Sequence, residues 1–203
     1  MKTQSQKAFS LIEIIVVVAI FSLIIVLVGS FQSNILVYNK YSSDVISSAQ
    51  DARSILRTMV QEMRSAKTGN NGSYPIVQVA TSTIVFFSDT DADGLQEQIR
   101  YFITTTTLTK GVIKPSGSPL SYNPGQEKFS ILAYNIKNGT STSLFEYFDS
   151  SYNGTSSPLV QPVAVNTIRL VRINLLIDAD PRRSPLPRLY TSDATFRNLK
   201  DNL

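Results

Sequence analysis

Lys7-Ala8-Phe9-Ser10-Leu11-Ile12-Glu13, with the aliphatic run behind it, decides how the rest of the chain must be built. From Leu11 to Val28, 18 residues, Glu13 is the only charged side chain. That is the length at which an apolar helix crosses the hydrocarbon core of a bilayer. The charged residues ahead of the run, Lys2 and Lys7, are both basic. Lys and Arg concentrate on the cytoplasmic flanks of membrane helices, so the pattern predicts a cytoplasmic N-terminus and an exported C-terminal part.

An ordinary secretory signal peptide has a shorter apolar region with a small-residue cleavage site behind it. Here the small residue at the polar-to-apolar junction is Ala8, in front of the run. A cut there leaves the helix on the mature chain. Glu13 is the second departure. A carboxylate costs about 2.5–3.5 kcal/mol at the bilayer centre and less near the interface, and its presence there marks function. The plainer alternative is a signal anchor with an incidental Glu near the membrane surface.

Basic-small-Phe-Ser-Leu-Ile-Glu followed by an unbroken aliphatic run resembles the class III signal of type IV prepilins and pseudopilins. The resemblance implies that a dedicated prepilin peptidase cuts between Ala8 and Phe9 and that the new amino terminus, on Phe9, is methylated. It implies that Glu13, then the fifth residue, serves subunit assembly by pairing with the methylated amino terminus of a neighbouring subunit. The family usually has Gly before the cut; this chain has Ala8, which puts the rate of processing in question.

Composition bounds the remainder. A chain of 203 residues holds an anchor and one domain of ordinary size. It has no cysteine and no histidine, which excludes disulfides, thiolate metal sites, Cys nucleophiles and every Ser/His/Asp arrangement. The formal charge is +4; without Lys2 and Lys7, 17 basic residues face 15 acidic ones, a balance of +2. No nucleic-acid partner is expected from that balance.

Residues 1–8 read as a polar leader removed by the peptidase, and residues 9–29 as the transmembrane half of an N-terminal helix. Residues 30–68 read as its amphipathic half, and 73–203 as an exported β-rich region. No proline precedes Pro75, so nothing forces a break in the first seventy residues. Phe31, Ile35, Tyr38, Val45, Ala49, Ala52, Leu56, Met59, Met63 and Ala66 recur at steps of three and four, with Ser42 filling one slot. Asp51, Arg53, Arg57, Glu62 and Arg64 keep the far end charged. Lys67 through Gly72 reads as the stop. The expected helix has about 58 residues and spans roughly 85–90 Å.

Beyond it the composition turns to strands and turns. Expected strands are Ile76–Ala80, Thr83–Ser88, Glu97–Thr104, Leu108–Ile113, Lys128–Ile136, Ser143–Phe148 and Ile168–Ile177, with a last one at Arg188–Thr191 or Thr195–Arg197. Lys137-Asn138-Gly139-Thr140 reads as a two-residue hairpin turn. The Ile168–Ile177 strand is apolar on both faces, hence central or covered. The fold class is α+β, a long N-terminal helix packed on a mostly antiparallel β-sheet. The resemblance implies the same type IV pilin fold.

Asp89-Thr90-Asp91-Ala92-Asp93-Gly94 has the alternating carboxylates and sharp-turn Gly of half an EF-hand loop. The twelfth position is Arg100, where a bidentate Glu is needed, and Glu97 falls at the ninth. Asp89, Asp91, Asp93 and Glu97 are therefore a candidate calcium set, against the simpler reading of a solvated acidic turn. The same carboxylates, on an expected exposed turn, have nothing to split their pKa values, so catalysis is not expected. Asn71-Gly-Ser73, Asn138-Gly-Thr140 and Asn153-Gly-Thr155 are sequons and also Asn-Gly turns. The Phe87–Tyr101 stretch, with Phe196-Arg197-Asn198, more loosely resembles W-type minor pilins and the J-type minor pseudopilins of type II secretion.

The resulting expectation is a non-enzymatic minor pilin or pseudopilin of a type IV pilus, type II secretion or competence filament, in a priming or tip complex, with no cofactor except the candidate calcium. Its expected partners are the prepilin peptidase, other pilin subunits, the inner-membrane assembly platform and membrane lipid. Its expected location is the cytoplasmic membrane in a single pass, then a filament. The alternative is a membrane-tethered binding or adhesin module that does not polymerise and keeps residues 1–8.

Overall fold

The computed structural model describes residues 10–139, 141–179, 186–196 and 199. The leader, with Ala8 and Phe9, lies outside these residues. Among the described residues the chain forms one long helix, eight strands and two short 3-10 turns.

Helix α1 runs Leu11–Arg64. The Ser10 carbonyl accepts from the amides of Glu13 at 3.0 Å and Ile14 at 3.3 Å, which closes the first turn. The chain divides into two compact units, Met1–Ile46 and Ser47–Leu203, and α1 contributes to both. In the first unit, Leu11–Gly29 is 19 residues of mean hydropathy 3.3 with none of it buried, long and apolar enough to cross a membrane.

In the second unit the helix carries a buried stripe: Ala52, Leu56, Met59, Met63 and Ala66, as the spacing predicts, joined by Val60, which the sequence reading passed over. Val45 and Ala49 are half-buried, whereas Phe31, Ile35 and Ser42 are exposed. The side chain of Tyr38 lies outside the described ones. Glu62 departs from the expected charged exterior. Its carboxylate accepts from Tyr101 Oη at 2.6 Å and from Lys110 Nζ at 2.6 Å, and its side chain is only 12% exposed. It tethers the helix to the sheet.

Strands β1 (Ile76–Val79), β2 (Thr83–Ser88), β3 (Glu97–Thr104), β4 (Thr107–Ile113) and β5 (Lys128–Ala133) form a five-stranded antiparallel meander in chain order. Strands β6 (Phe145–Phe148), β7 (Leu170–Ile177) and β8 (Arg188–Thr195) form a second, three-stranded sheet, with β7 central as expected, although only one of its faces is apolar throughout. Its buried face is Val171, Ile173, Leu175 and Ile177; the other carries Arg172 and Asn174, bonded to Asp193 and Thr191 of β8. Of the two alternatives for the last strand, Arg188–Thr191 lies wholly within β8, whereas of Thr195–Arg197 only Thr195 does; Phe196 falls beyond the strand and Arg197 lies outside the described residues.

The expected hairpin at Lys137–Thr140 is corrected: β5 and β6 belong to different sheets. Asn135 adopts φ 57°, turning the chain off the first sheet. Ile136 then bridges Ile177, and the Lys137 amide donates to the Leu176 carbonyl at 2.8 Å. Asn138 continues the pairing with its side chain: Nδ2 donates to the Asn174 carbonyl at 2.7 Å, and Oδ1 accepts from the Leu176 amide at 2.9 Å. The side chain completes a ladder that backbone alone would otherwise form. Thr140 lies outside the described residues.

One apolar core gathers the α1 stripe, Ile84 and Phe86 of β2, Ile99 and Tyr101 of β3, Leu108 of β4, and the inner residues of β6, β7 and β8. Tyr147 of β6 donates to the Ala80 carbonyl at 2.8 Å, joining the sheets from within. Burial, and then Glu62, push the Tyr101 phenol far above its ordinary value of 10.0; burial does the same for Tyr147. Below pH 10 folded and unfolded chains both hold these protons. Above about pH 10 only the unfolded chain releases them, so stability falls as pH rises past that point. Denaturant melts at increasing pH should show this onset, and tyrosinate absorbance should jump at unfolding, a jump that Tyr147→Phe reduces.

Candidate functional site

Two stretches carry the chemistry singled out in the sequence. The first is the start of α1. Glu13 lies in its first turn and is exposed, as are the apolar side chains from Leu11 to Val28. A carboxylate in the first turn is favoured by the unpaired amides of a helix N-terminus. The helix offers no other charged group until Lys40. Neither Ala8 nor Phe9 is among the described residues, so their roles rest on the sequence.

The second is the loop joining β2 to β3. The two strands pair in register from Thr83 opposite Phe102 to Ser88 opposite Glu97, so the loop begins and ends at adjacent rungs. It is an eight-residue connection, Asp89 through Gln96, rather than a tight two-residue turn. Ala92 at φ 60° and Gly94 at φ 89° make the reversal. Asp89 Oδ2 accepts from the Gly94 amide at 3.1 Å, and Asp93 Oδ1 accepts from the Leu95 amide at 2.8 Å. Both are the side-chain-to-backbone bonds by which Asp organises turns.

The structure brings together three of the four candidate carboxylates. Oxygen atoms of Asp89, Asp91 and Glu97 lie within 4.8 Å of one another. Asp93 stands apart from this set, spent on the turn and 3.9 Å from Lys114. Arg100, at the twelfth loop position, is turned to Glu127, with which it makes a two-pronged ion pair at 2.7 and 2.9 Å. The expectation of a uniformly exposed turn is corrected for Glu97, which is 1% exposed. The reason is its register: it opens β3 opposite the buried Ser88 and belongs to the sheet.

Sequence reasoning missed the residues that hold this cluster. Thr90 donates to Glu97 Oε2 from both its amide and its hydroxyl, each at 2.9 Å. Lys114, just past the end of β4, pairs with Asp91. Its place follows from β4 running antiparallel to β3 with Ile113 opposite Gln98, a register that no local pattern reveals. Asn70, within the Lys67–Gly72 helix stop, accepts from the Gln96 amide at 2.6 Å, and Tyr122 donates to the Gln96 carbonyl at 2.7 Å. They fix the loop's far end.

The Lys114 hydrogen bond holds the Asp91 carboxyl below its ordinary 3.8, with further help from the charge of Lys114 and from loop amides. Asp91 reciprocally raises Lys114. In buffer free of divalent cations, Lys114→Ala should return Asp91 toward 3.8, upward, in a carboxyl NMR titration; an unmoved titration would mean the pair does not persist in solution.

Comparison with known proteins adds one finding, and it falls on the first stretch. Residues 3–29 match the protein-family model described as "Prokaryotic N-terminal methylation motif". No curated protein and no solved structure matches the chain. Members that carry this motif are structural subunits, and the motif implies processing by a prepilin peptidase and assembly with other pilins. Residues 3–29 thus carry the class III signal of type IV prepilins and pseudopilins, in front of an antiparallel β-sheet domain in the α+β arrangement of pilins.

Proposed function

We propose that the chain is a minor pilin or pseudopilin, a non-catalytic subunit that enters a priming or tip complex of a type IV pilus, type II secretion or competence filament. One observation carries this reading: a methylation motif at residues 3–29 leads a helix whose exposed apolar surface bears a single carboxylate, Glu13, in its first turn. The segment Leu11–Gly29 holds the subunit in the cytoplasmic membrane, N-terminus inside, as a reservoir. Cleavage between Ala8 and Phe9 and methylation of Phe9 follow.

On leaving lipid the apolar helix must be covered by like helices, because it has no core of its own. Glu13 then enters an apolar bundle and needs a positive partner. The methylated amino terminus of a neighbouring Phe9 supplies it, neutralising the charge and setting the axial register. A buried carboxylate left alone there costs about 3–5 kcal/mol. The β-sheet region, exported, offers surface to neighbouring subunits.

The mass of the N-terminal peptide, taken from native membranes and from sheared filaments, tests processing. The expected chain begins at N-methyl-Phe9. A chain still beginning at Met1, in cells with active peptidase, would replace this reading with the membrane-tethered binding module. Glu13→Ala should insert at least as well as the native chain, since a carboxylate has been removed from lipid. It should be largely missing from filaments; incorporation at the native level would refute the charge-pairing role.

A further inference from the structure

We propose that the β2–β3 loop binds a calcium ion through Asp89, Asp91 and Glu97, a site separate from the N-terminal assembly segment. Spacing alone brings acidic residues together on many loops, so the argument rests on how Glu97 is held. It is buried at the start of β3, 1% exposed. Both of its hydrogen bonds, from the Thr90 amide and hydroxyl, fall on Oε2. Oε1 is buried with no partner, and so is Oδ1 of Asp89. Buried carboxylate oxygens are almost always paired or bound to a cation. Here two of them, on two residues of one cluster, are left open.

Lys114 does not fill that need. It pairs with Asp91 and reaches toward Asp93 from the rim, where its side chain is 59% exposed. Its ammonium can turn to water at little cost, freeing Asp91.

The separation admits calcium, and the ligand set suits it better than magnesium, which keeps most of its waters and is seldom held by a cage of protein oxygens. Two oxygens bound to one cation can be no farther apart than twice the metal–oxygen distance. That limit is about 4.6–5.2 Å for calcium and about 4.0–4.2 Å for magnesium. The three carboxylates, within 4.8 Å of one another, meet the calcium limit without rearrangement. Each offers one oxygen to the cluster, all of them hard ligands, and water would complete the six to eight that calcium takes. Arg100 is committed to Glu127, so the ninth-position Glu97, reached by a shorter loop, takes the part that a twelfth-position Glu has in an EF-hand.

The test is thermal unfolding and calorimetric titration of the full chain in detergent, after chelation, with CaCl2 and in parallel with MgCl2. Calcium at a hundredfold excess over its dissociation constant should raise the melting temperature by about 5–8 °C. Magnesium should raise it far less. Glu97→Gln, which keeps the shape and removes the buried charge, should melt no lower than the chelated native protein and lose the calcium response. Lys114→Ala, which removes the competitor for Asp91, should bind calcium severalfold more tightly. Absence of any calcium response in the native chain, or a native-like response in Glu97→Gln, overturns the site.

Discussion

A helix that is apolar on every side cannot be left in water, and that constraint governs this protein. Leu11–Gly29 exposes its aliphatic side chains all round and none of them is buried within the chain itself. The second half of the same helix solves its own problem differently. Ala52, Leu56, Met59, Val60, Met63 and Ala66 close against two sheets, where burial of each large side chain is worth about 1.5–3 kcal/mol. One helix therefore carries a face satisfied within the chain and a surface that must be satisfied outside it.

The β-rich unit is organised around the first of these. Its five-stranded meander and its three-stranded sheet share a core whose third side is the helix stripe. Polar ties sit where the elements meet. Glu62 receives Tyr101 and Lys110, Tyr147 reaches the Ala80 carbonyl, and the Asn138 amide joins β7. Each ties a side chain to a distant element, which apolar packing alone would leave free to slide.

Much of this was legible in the sequence because it is periodic. The apolar run, the stripe of three- and four-residue steps and the strand alternation placed α1 and the eight strands close to where they lie. The register was not legible. Nothing local says that Ile113 stands opposite Gln98, so the meeting of Lys114 with Asp91 could not be read from the chain. Nor could the division into two sheets, which turns on Asn135 leaving the first sheet and Asn138 entering the second. An Asn-Gly pair between apolar runs is a strong hairpin signal, and here tertiary pairing overrode it. For the acidic loop the ligand types were visible in the sequence, but the burial of Glu97 was visible only after β3 had been paired with β2. At the N-terminus the reading rests on the sequence motif at residues 3–29, because Ala8 and Phe9 lie outside the described residues.

The side chain of Asn138 gives the protein a chemical clock at its sheet junction. Conversion of that amide to a carboxylate would replace the donor at Nδ2 with a second acceptor, facing the Asn174 carbonyl with no proton between them. The same seam would then repel where it now binds. The neighbouring Gly139 leaves the following backbone amide sterically open, which is the condition under which an asparagine side chain cyclises. What protects the residue is the fold itself: both ends of the side-chain amide are held by β7, so its carbonyl carbon cannot turn to meet the Gly139 nitrogen that would attack it, and that nitrogen is itself bonded to the Thr142 carbonyl at 3.1 Å. Ageing at this position would thus report how long the chain had spent unfolded.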